Sequence, residues 1–170
     1  MTVIFGAKGT DGRALSRPLL AEAVRSLWGW TEIPPLERSH RGKPEFSGIS
    51  DRWFSISHSS GYALCALSDD GPVGVDIETV RPHRENLPAY VMNEAEFAAF
   101  DGSWEDFSCV WVLKESFCKM KDSPLFPPRN IPTPPDCPHQ SWSGPDWQAA
   151  VCCAGIPPEE IHWMSLPLSP

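Results

Sequence analysis

Seven prolines fall between residues 124 and 138, and no other stretch limits the fold so severely. A proline lacks the N–H that a helix interior or a central strand must donate, and its ring fixes φ. The segment is therefore expected to be an irregular surface loop. It separates a long helical segment from the strands expected to close the chain.

The helical and strand periods on either side are legible. Residues 1–5 read as a short strand. Residues 14–28 read as a helix, with Leu20, Val24 and Leu27 at helical spacing. Pro18 suits that helix only in its first turn. The stretches RWFSIS (52–57), YALCALS (62–68) and VGVDI (73–77) alternate as strands do, and DDG (69–71) is a hairpin signal. These three strands are expected to pair as an antiparallel meander. Asn93 caps a helix over 93–100, with Glu96 in the capping-box position, and Ser103 caps a longer one over 103–120. Residues 146–154 and 161–166 read as two closing strands. The order is helix then strands, then helices then strands. It predicts an α+β fold of two halves, 1–77 and 78–170, forming one compact unit.

Composition narrows the function. The net charge of −8 argues against general nucleic-acid binding. Seven basic residues nevertheless lie within 8–43, against four acidic ones, which suggests a specific anionic ligand. The six cysteines form no CxxC pair and complete no zinc pattern. They fit a reducing cytoplasm. The N-terminal apolar run is too short for a signal peptide, and no run approaches a membrane span.

VGVDIE, residues 73–78, carries the chemistry. In a strand Val73, Val75 and Ile77 share one face; Gly74, Asp76 and Glu78 share the other. Neighbouring carboxylates repel, and a cation between them relieves the repulsion. On the long helix Trp111, Glu115 and Lys119 recur every four residues and form one stripe. Asp76, Glu78 and Glu115 together suit a hard cation such as Mg²⁺, which commonly bridges carboxylates to substrate phosphates. Lys119 and Lys43 are then expected on phosphate oxygens, and His58, just after a strand end, faces the ligand. The bland alternatives are an exposed Glu115–Lys119 ion pair and a structural histidine.

Four blocks occur in order: RGKPEF, FSISHS, GVDIE and WVLKESFCK. This set resembles the 4′-phosphopantetheinyl transferases, the surfactin-type branch in particular. The resemblance implies two similar α/β halves with antiparallel sheets packed on long helices, related by a pseudo-twofold axis, with the active site between them. It implies Mg²⁺ or Mn²⁺ held by Asp76, Glu78 and Glu115. It implies coenzyme A held by Arg13, Lys43, His58, Lys114 and Lys119, with Glu115, Lys119 and His58 catalytic. The phosphopantetheine arm passes from coenzyme A to a serine of an apo carrier protein, and 3′,5′-ADP leaves. The expected unit is a cytoplasmic monomer that uses neither nucleic acid nor membrane. The glycine before Asp76 is expected to leave room for ligand.

The chain departs from the family pattern in three places. About twelve residues precede Arg13, so the first half is read as shortened. AYVM (89–92) stands where a basic residue and two aromatics are common, and Ser55 stands where Asn is common. The competing functions are a non-catalytic coenzyme A or carrier-protein binder of the same fold, and a different Mg²⁺-dependent phosphohydrolase.

Overall fold

The computed structural model describes residues 1–124 and 127–166. Strand β1 (Thr2–Lys8) leads into helix α1 (Gly12–Trp28). A small hairpin follows, β2 (Leu36–Arg38) and β3 (Pro44–Phe46), and then β4 (Trp53–Ser59), β5 (Tyr62–Ser68) and β6 (Val73–Thr79). Two short helices, α2 (Leu87–Val91) and α3 (Glu94–Ala99), precede the long α4 (Trp104–Lys121). Strands β7 (His139–Ser143), β8 (Trp147–Cys153) and β9 (Ile161–Met164) come last.

The strands form two main sheets. One runs β4-β5-β1-β9, antiparallel except where β1 meets β9; the other runs β6-β8-β7 and is antiparallel throughout. Alternation gives each sheet two distinct faces. Ile4, Leu64 and Ala66 of the first sheet pack with Val75, Ile77, Ala149 and Val151 of the second in one shared core. The opposite face of the first sheet, with Phe54, Ala63, Cys65 and Leu67, receives Leu19, Leu20, Ala23 and Val24 of α1.

The helix ends follow from their capping residues. The Asp11 carboxylate accepts the Arg13 and Ala14 N–H groups at the start of α1, and Gly29, with φ of 69°, ends it. Pro18 lies in the interior of α1, not in its first turn, and withholds the N–H that an interior residue donates. Asn93 and Glu96 form the expected capping box on α3, and the Ser103 hydroxyl accepts the Asp106 N–H on α4.

One expectation about the strands needs correction. The stretches 52–57, 62–68 and 73–77 do not form a meander: β4 pairs with β5, but β6 crosses to the other sheet and pairs with β8. Strand β6 belongs to the later sheet, and β9 returns to the earlier one. Strand β7 was not expected from the sequence. Only His139 and Trp142 of its five residues are even half-buried, so it carries little hydrophobic pattern. Within the proline-rich segment the described residues hold only a short 3₁₀ turn, Pro128–Asn130. All six cysteines are free. Among the described residues no helix is long and apolar enough to cross a membrane.

Two contacts seat α4. Gly74 on β6 lies directly under it. A Cβ there would stand 2.0 Å from the Ser116 carbonyl oxygen and 2.3 Å from the Met120 nitrogen. The glycine makes room for the helix backbone, not for a ligand. Behind α4, the fully buried Lys114 ammonium pairs with Glu96 at 2.7 Å and donates to the carbonyls of Val91 and Pro128. Glu96 also accepts from the Asn93 N–H and the Thr133 hydroxyl. One buried carboxylate thus links α3, α4 and the segment after the 3₁₀ turn.

Replacing Gly74 with Ala is expected to destabilise the fold by about 3 kcal/mol or more, since backbone atoms on both sides must move; a urea midpoint equal to wild type would show that α4 does not approach so closely. Burial pushes the Glu96 carboxyl up, but the hydrogen bonds from Lys114, Thr133 and the Asn93 N–H outweigh burial and hold it below its ordinary value of 4.5. A depressed carboxyl stabilises fully above its unfolded pKa, and the contribution is lost as pH falls through the folded value. Glu96→Gln is expected to lose about 3 kcal/mol at pH 7. The gap to wild type should shrink as denaturation is repeated at falling pH below 4.5.

Candidate active site

Strands β4 and β6 lie at facing edges of the two sheets and are joined by side chains. Ser55, Ser57 and Ser59 alternate along β4 and so point the same way. Their hydroxyl oxygens accept the N–H groups of Val75, Ile77 and Thr79 at 3.1, 3.3 and 3.0 Å. Two of the three also donate to the acidic strand. Ser57 donates to Asp76 Oδ1 at 2.7 Å, and Ser59 donates to Glu78 Oε2 at 2.9 Å.

The carboxylates so held line a cavity of about 230 Å³, together with His58, Trp111, Glu115 and Lys119. Residues from β4, β6 and one stripe of α4 therefore meet at one place. Asp76 is almost wholly buried, and its Oδ2 is buried without a hydrogen-bond partner. Its Oδ1 takes the Lys119 ammonium at 2.6 Å, and that ammonium also reaches the Ser57 hydroxyl at 3.2 Å. Burial, and after it the charge of Asp76, raises the Glu115 carboxyl from 4.5 to about 7. The same two causes raise Glu78, opposed by Ser59, Arg81 and Lys119.

An orphaned buried carboxylate oxygen among mutually repelling acids fits a hard cation. Among the described residues, no group of three or more His, Cys, Asp or Glu side chains is itself arranged to hold a metal ion. Mg²⁺ does not require one, since it keeps several waters and takes one or two carboxylates.

A larger cavity of about 580 Å³ adjoins this one. It is lined by His40, Arg41, Lys43, Ser55, Lys119 and Asp122 among others. The loop carrying His40 to Lys43 is tied to the end of α4. The Ser39 hydroxyl donates to Asp122 at 3.0 Å and accepts the Arg41 and Lys43 N–H groups. Lys43 is half-buried and donates to the Val73 carbonyl at 3.1 Å. Burial lowers its pKa, offset in part by Glu45 and Asp122.

A family model described as the 4′-phosphopantetheinyl transferase superfamily matches residues 72–152. That span contains the acidic strand and the whole of α4. The chain is 34% identical over 113 residues to the 4′-phosphopantetheinyl transferase AcpT of Salmonella typhi, covering 62% of this chain and 55% of that protein. It is 35% identical over 97 residues to AcpT of Escherichia coli K12, covering 52% and 49%. It is 32% identical over 89 residues to the 4′-phosphopantetheinyl transferase Sfp of Bacillus subtilis 168, covering 49% and 39%. The chain spans about half the length of the AcpT relatives it matches, and less of Sfp.

Over residues 72–152, the chain resembles the 4′-phosphopantetheinyl transferase superfamily.

The expected site residues separate into three groups. His58, Asp76, Glu78, Glu115 and Lys119 gather at the smaller cavity, and Lys43 lines the larger one. Arg13 is exposed at the first turn of α1 and lines neither. Lys114 does not reach the cleft. Its ammonium is buried, and its three donors are spent on Glu96, Val91 and Pro128, leaving none for a phosphate. The i, i+3 and i+4 geometry of α4 places it beside Glu115 in sequence but on the packed side. Sequence reasoning passed over Ser57, Ser59 and Arg41. The alternating serines of FSISHS were the available signal, since they put three hydroxyls on one strand face.

Lys114 is expected to resist acetylation by acetic anhydride in the folded protein, whereas Lys119 and the exposed Lys8 react. Peptide mapping after brief treatment checks this, and ready modification of Lys114 before unfolding would contradict its buried pairing.

Proposed function

We propose that the chain transfers the 4′-phosphopantetheine arm of coenzyme A to a serine of an apo carrier protein, as a Mg²⁺-dependent enzyme that releases 3′,5′-ADP. The observation that carries this reading is the unpartnered, buried Oδ2 of Asp76, in a cavity that also holds Glu78, Glu115 and Lys119. The family-model match over residues 72–152 and the printed activity of the AcpT and Sfp relatives support it.

Asp76 and Glu78, with Glu115, are the residues that would hold Mg²⁺, which would supply charge neutralisation on the pyrophosphate. The larger cavity, with His40, Arg41, Lys43 and Lys119 on its wall, suits the phosphates of coenzyme A. Glu115 lines the same cavity and is the carboxylate proposed to accept a proton. It takes the proton of the carrier serine as that oxygen attacks the β-phosphorus of coenzyme A. The bond from that phosphorus to the bridging oxygen breaks, and 3′,5′-ADP leaves with the oxygen. Lys119 and His58 stabilise the leaving phosphate electrostatically. As in other phosphoryl transfers, positioning and charge supply most of the acceleration.

Arg13 is proposed for the 3′-phosphate on weaker grounds. The Gly12 N–H donates to the Ser60 carbonyl at 2.6 Å, so the start of α1 lies at the same end of β4 as His58. Residues 1–77 and 78–170 are proposed to act as one unit with the site between them, in a single cytoplasmic chain related across the cleft by a pseudo-twofold axis. The core shared by both sheets and the six free thiols suit that reading.

Intact-mass spectrometry of an apo carrier protein, incubated with this chain, coenzyme A and Mg²⁺, tests the proposal. The expected result is a phosphopantetheine mass gain that EDTA abolishes. Asp76→Ala, Glu115→Ala and Lys119→Ala should each lose ~10²-fold or more in rate. Full activity in all three would sink the assignment. Phosphate release without a carrier would indicate a phosphohydrolase, and tight coenzyme A binding without transfer a non-catalytic binder.

A further inference from the structure

We propose that Ser57 is a positioning residue: it selects which oxygen of Asp76 is offered to the cation, while the neighbouring Ser55 only closes the seam between the sheets. The inference rests on the cation site proposed above.

A serine hydroxyl has one hydrogen and two lone pairs. At Ser57 all three are in use. The oxygen accepts from the Ile77 N–H at 3.3 Å and from Lys119 Nζ at 3.2 Å, and the hydrogen goes to Asp76 Oδ1 at 2.7 Å. The two incoming N–H groups leave the hydrogen no other direction. Oδ1 therefore carries both the serine hydrogen and the Lys119 ammonium, at 2.7 and 2.6 Å. Oδ2 is the oxygen left bare, and it is buried. Without Ser57, the carboxylate can turn about its Cβ–Cγ bond and exchange its two oxygens, and Lys119 loses one of its two partners.

The ladder repeats with the strand period and contains its own control. Each serine takes the backbone N–H twenty residues ahead and faces the side chain nineteen ahead. For Ser57 and Ser59 that side chain is Asp76 and Glu78. For Ser55 it is Gly74, which has none. Ser55 and Ser57 thus make the same backbone bond, and only Ser57 and Ser59 touch a carboxylate. A purely structural role predicts equal effects at all three positions. A positioning role predicts a difference.

The experiment compares the wild-type chain with Ser55→Ala, Ser57→Ala, Ser57→Thr and Ser59→Ala. Thermal unfolding is measured for each. Mn²⁺ binding is measured by the electron paramagnetic resonance signal of the free ion, with Mn²⁺ alone as the probe and no turnover required. Ser55→Ala and Ser57→Ala should lower the unfolding temperature to a similar degree. Mn²⁺ affinity should fall about tenfold or more in Ser57→Ala and Ser59→Ala, hold in Ser55→Ala, and be retained in Ser57→Thr, which keeps the hydroxyl. If Ser57→Ala does not fold, Ser59→Ala against Ser55→Ala makes the same comparison. Equal Mn²⁺ affinity in wild type, Ser57→Ala and Ser59→Ala overturns the positioning role and leaves the cation site standing. Equal weakening in Ser55→Ala overturns it as well. A wild-type chain that binds no Mn²⁺ overturns the cation site, and this inference with it.

Discussion

Two sheet edges that exchange no ladder hydrogen bonds must satisfy their N–H groups in another way, because a buried unpaired N–H is costly. Here the hydroxyls of Ser55, Ser57 and Ser59 accept the N–H groups of Val75, Ile77 and Thr79. Much of the molecule depends on this seam. It lets β6 leave the first sheet and join β8, so that the two sheets can enclose a shared apolar core. It also sets the two motif-bearing strands in a fixed register, and register decides which side chains share a face. Serine suits the position because its hydroxyl both accepts from a backbone N–H and donates to a carboxylate. Alanine in its place leaves the N–H without a partner.

The other half of the site is carried by α4, and its seating is decided by what lies in front of it and behind it. In front, Gly74 allows the helix backbone to approach the strand at a distance no side chain tolerates. Behind, the Lys114–Glu96 pair anchors it to α3 and to the carbonyls of Val91 and Pro128. A buried ion pair is weak evidence for stability in itself, because desolvation offsets the attraction. Its directional bonds, however, restrict how α4 can slide or rotate. Glu115 and Lys119 lie on the side of the same helix that faces the acidic strand, so their positions follow from that restraint.

The sequence was informative where a local rule and the tertiary structure agreed. The capping residues Asn93 and Ser103, the acidic strand and the stripe Trp111, Glu115, Lys119 are all set by short-range chemistry. It was misleading where a long-range partner decided the outcome. DDG between two strands is a hairpin signal, yet β6 does not pair with β5, because its other edge finds β8 some seventy residues later. Gly74 looked like space for a ligand, and only the packing of α4 reveals it as space for a helix. Lys114 precedes Glu115 in the motif, but helical geometry turns adjacent residues about 100° apart, and that rotation carries it into the core. The partners Glu96, Val91 and Pro128 that absorb its charge lie far enough along the chain that spacing does not connect them.

The wall between the two cavities bears on how the site handles charge. Ile56, Glu115 and Lys119 line both of them. A ligand whose phosphates sit in the larger space and whose reacting phosphorus reaches the smaller one must therefore pass these three residues. Two of them are ionisable and opposite in sign. Lys119 is bound to Asp76 at one of its three donor positions and to Ser57 at another, which leaves capacity for a phosphate oxygen without breaking either bond. Burial and the charge of Asp76 raise the Glu115 carboxyl above its ordinary value. An anionic ligand entering the cavity would meet the Lys119 ammonium, and an acceptor hydroxyl there would lie beside the Glu115 carboxyl. The protein as a whole is strongly acidic, at −8, so the proposed recognition of a polyanion would have to come from this local arrangement. The loop bearing His40, Arg41 and Lys43 would supply it, held against the end of α4 by the Ser39–Asp122 bond. The same helix therefore fixes both the groups that would handle the proton and the edge of the basic surface that would hold the phosphates.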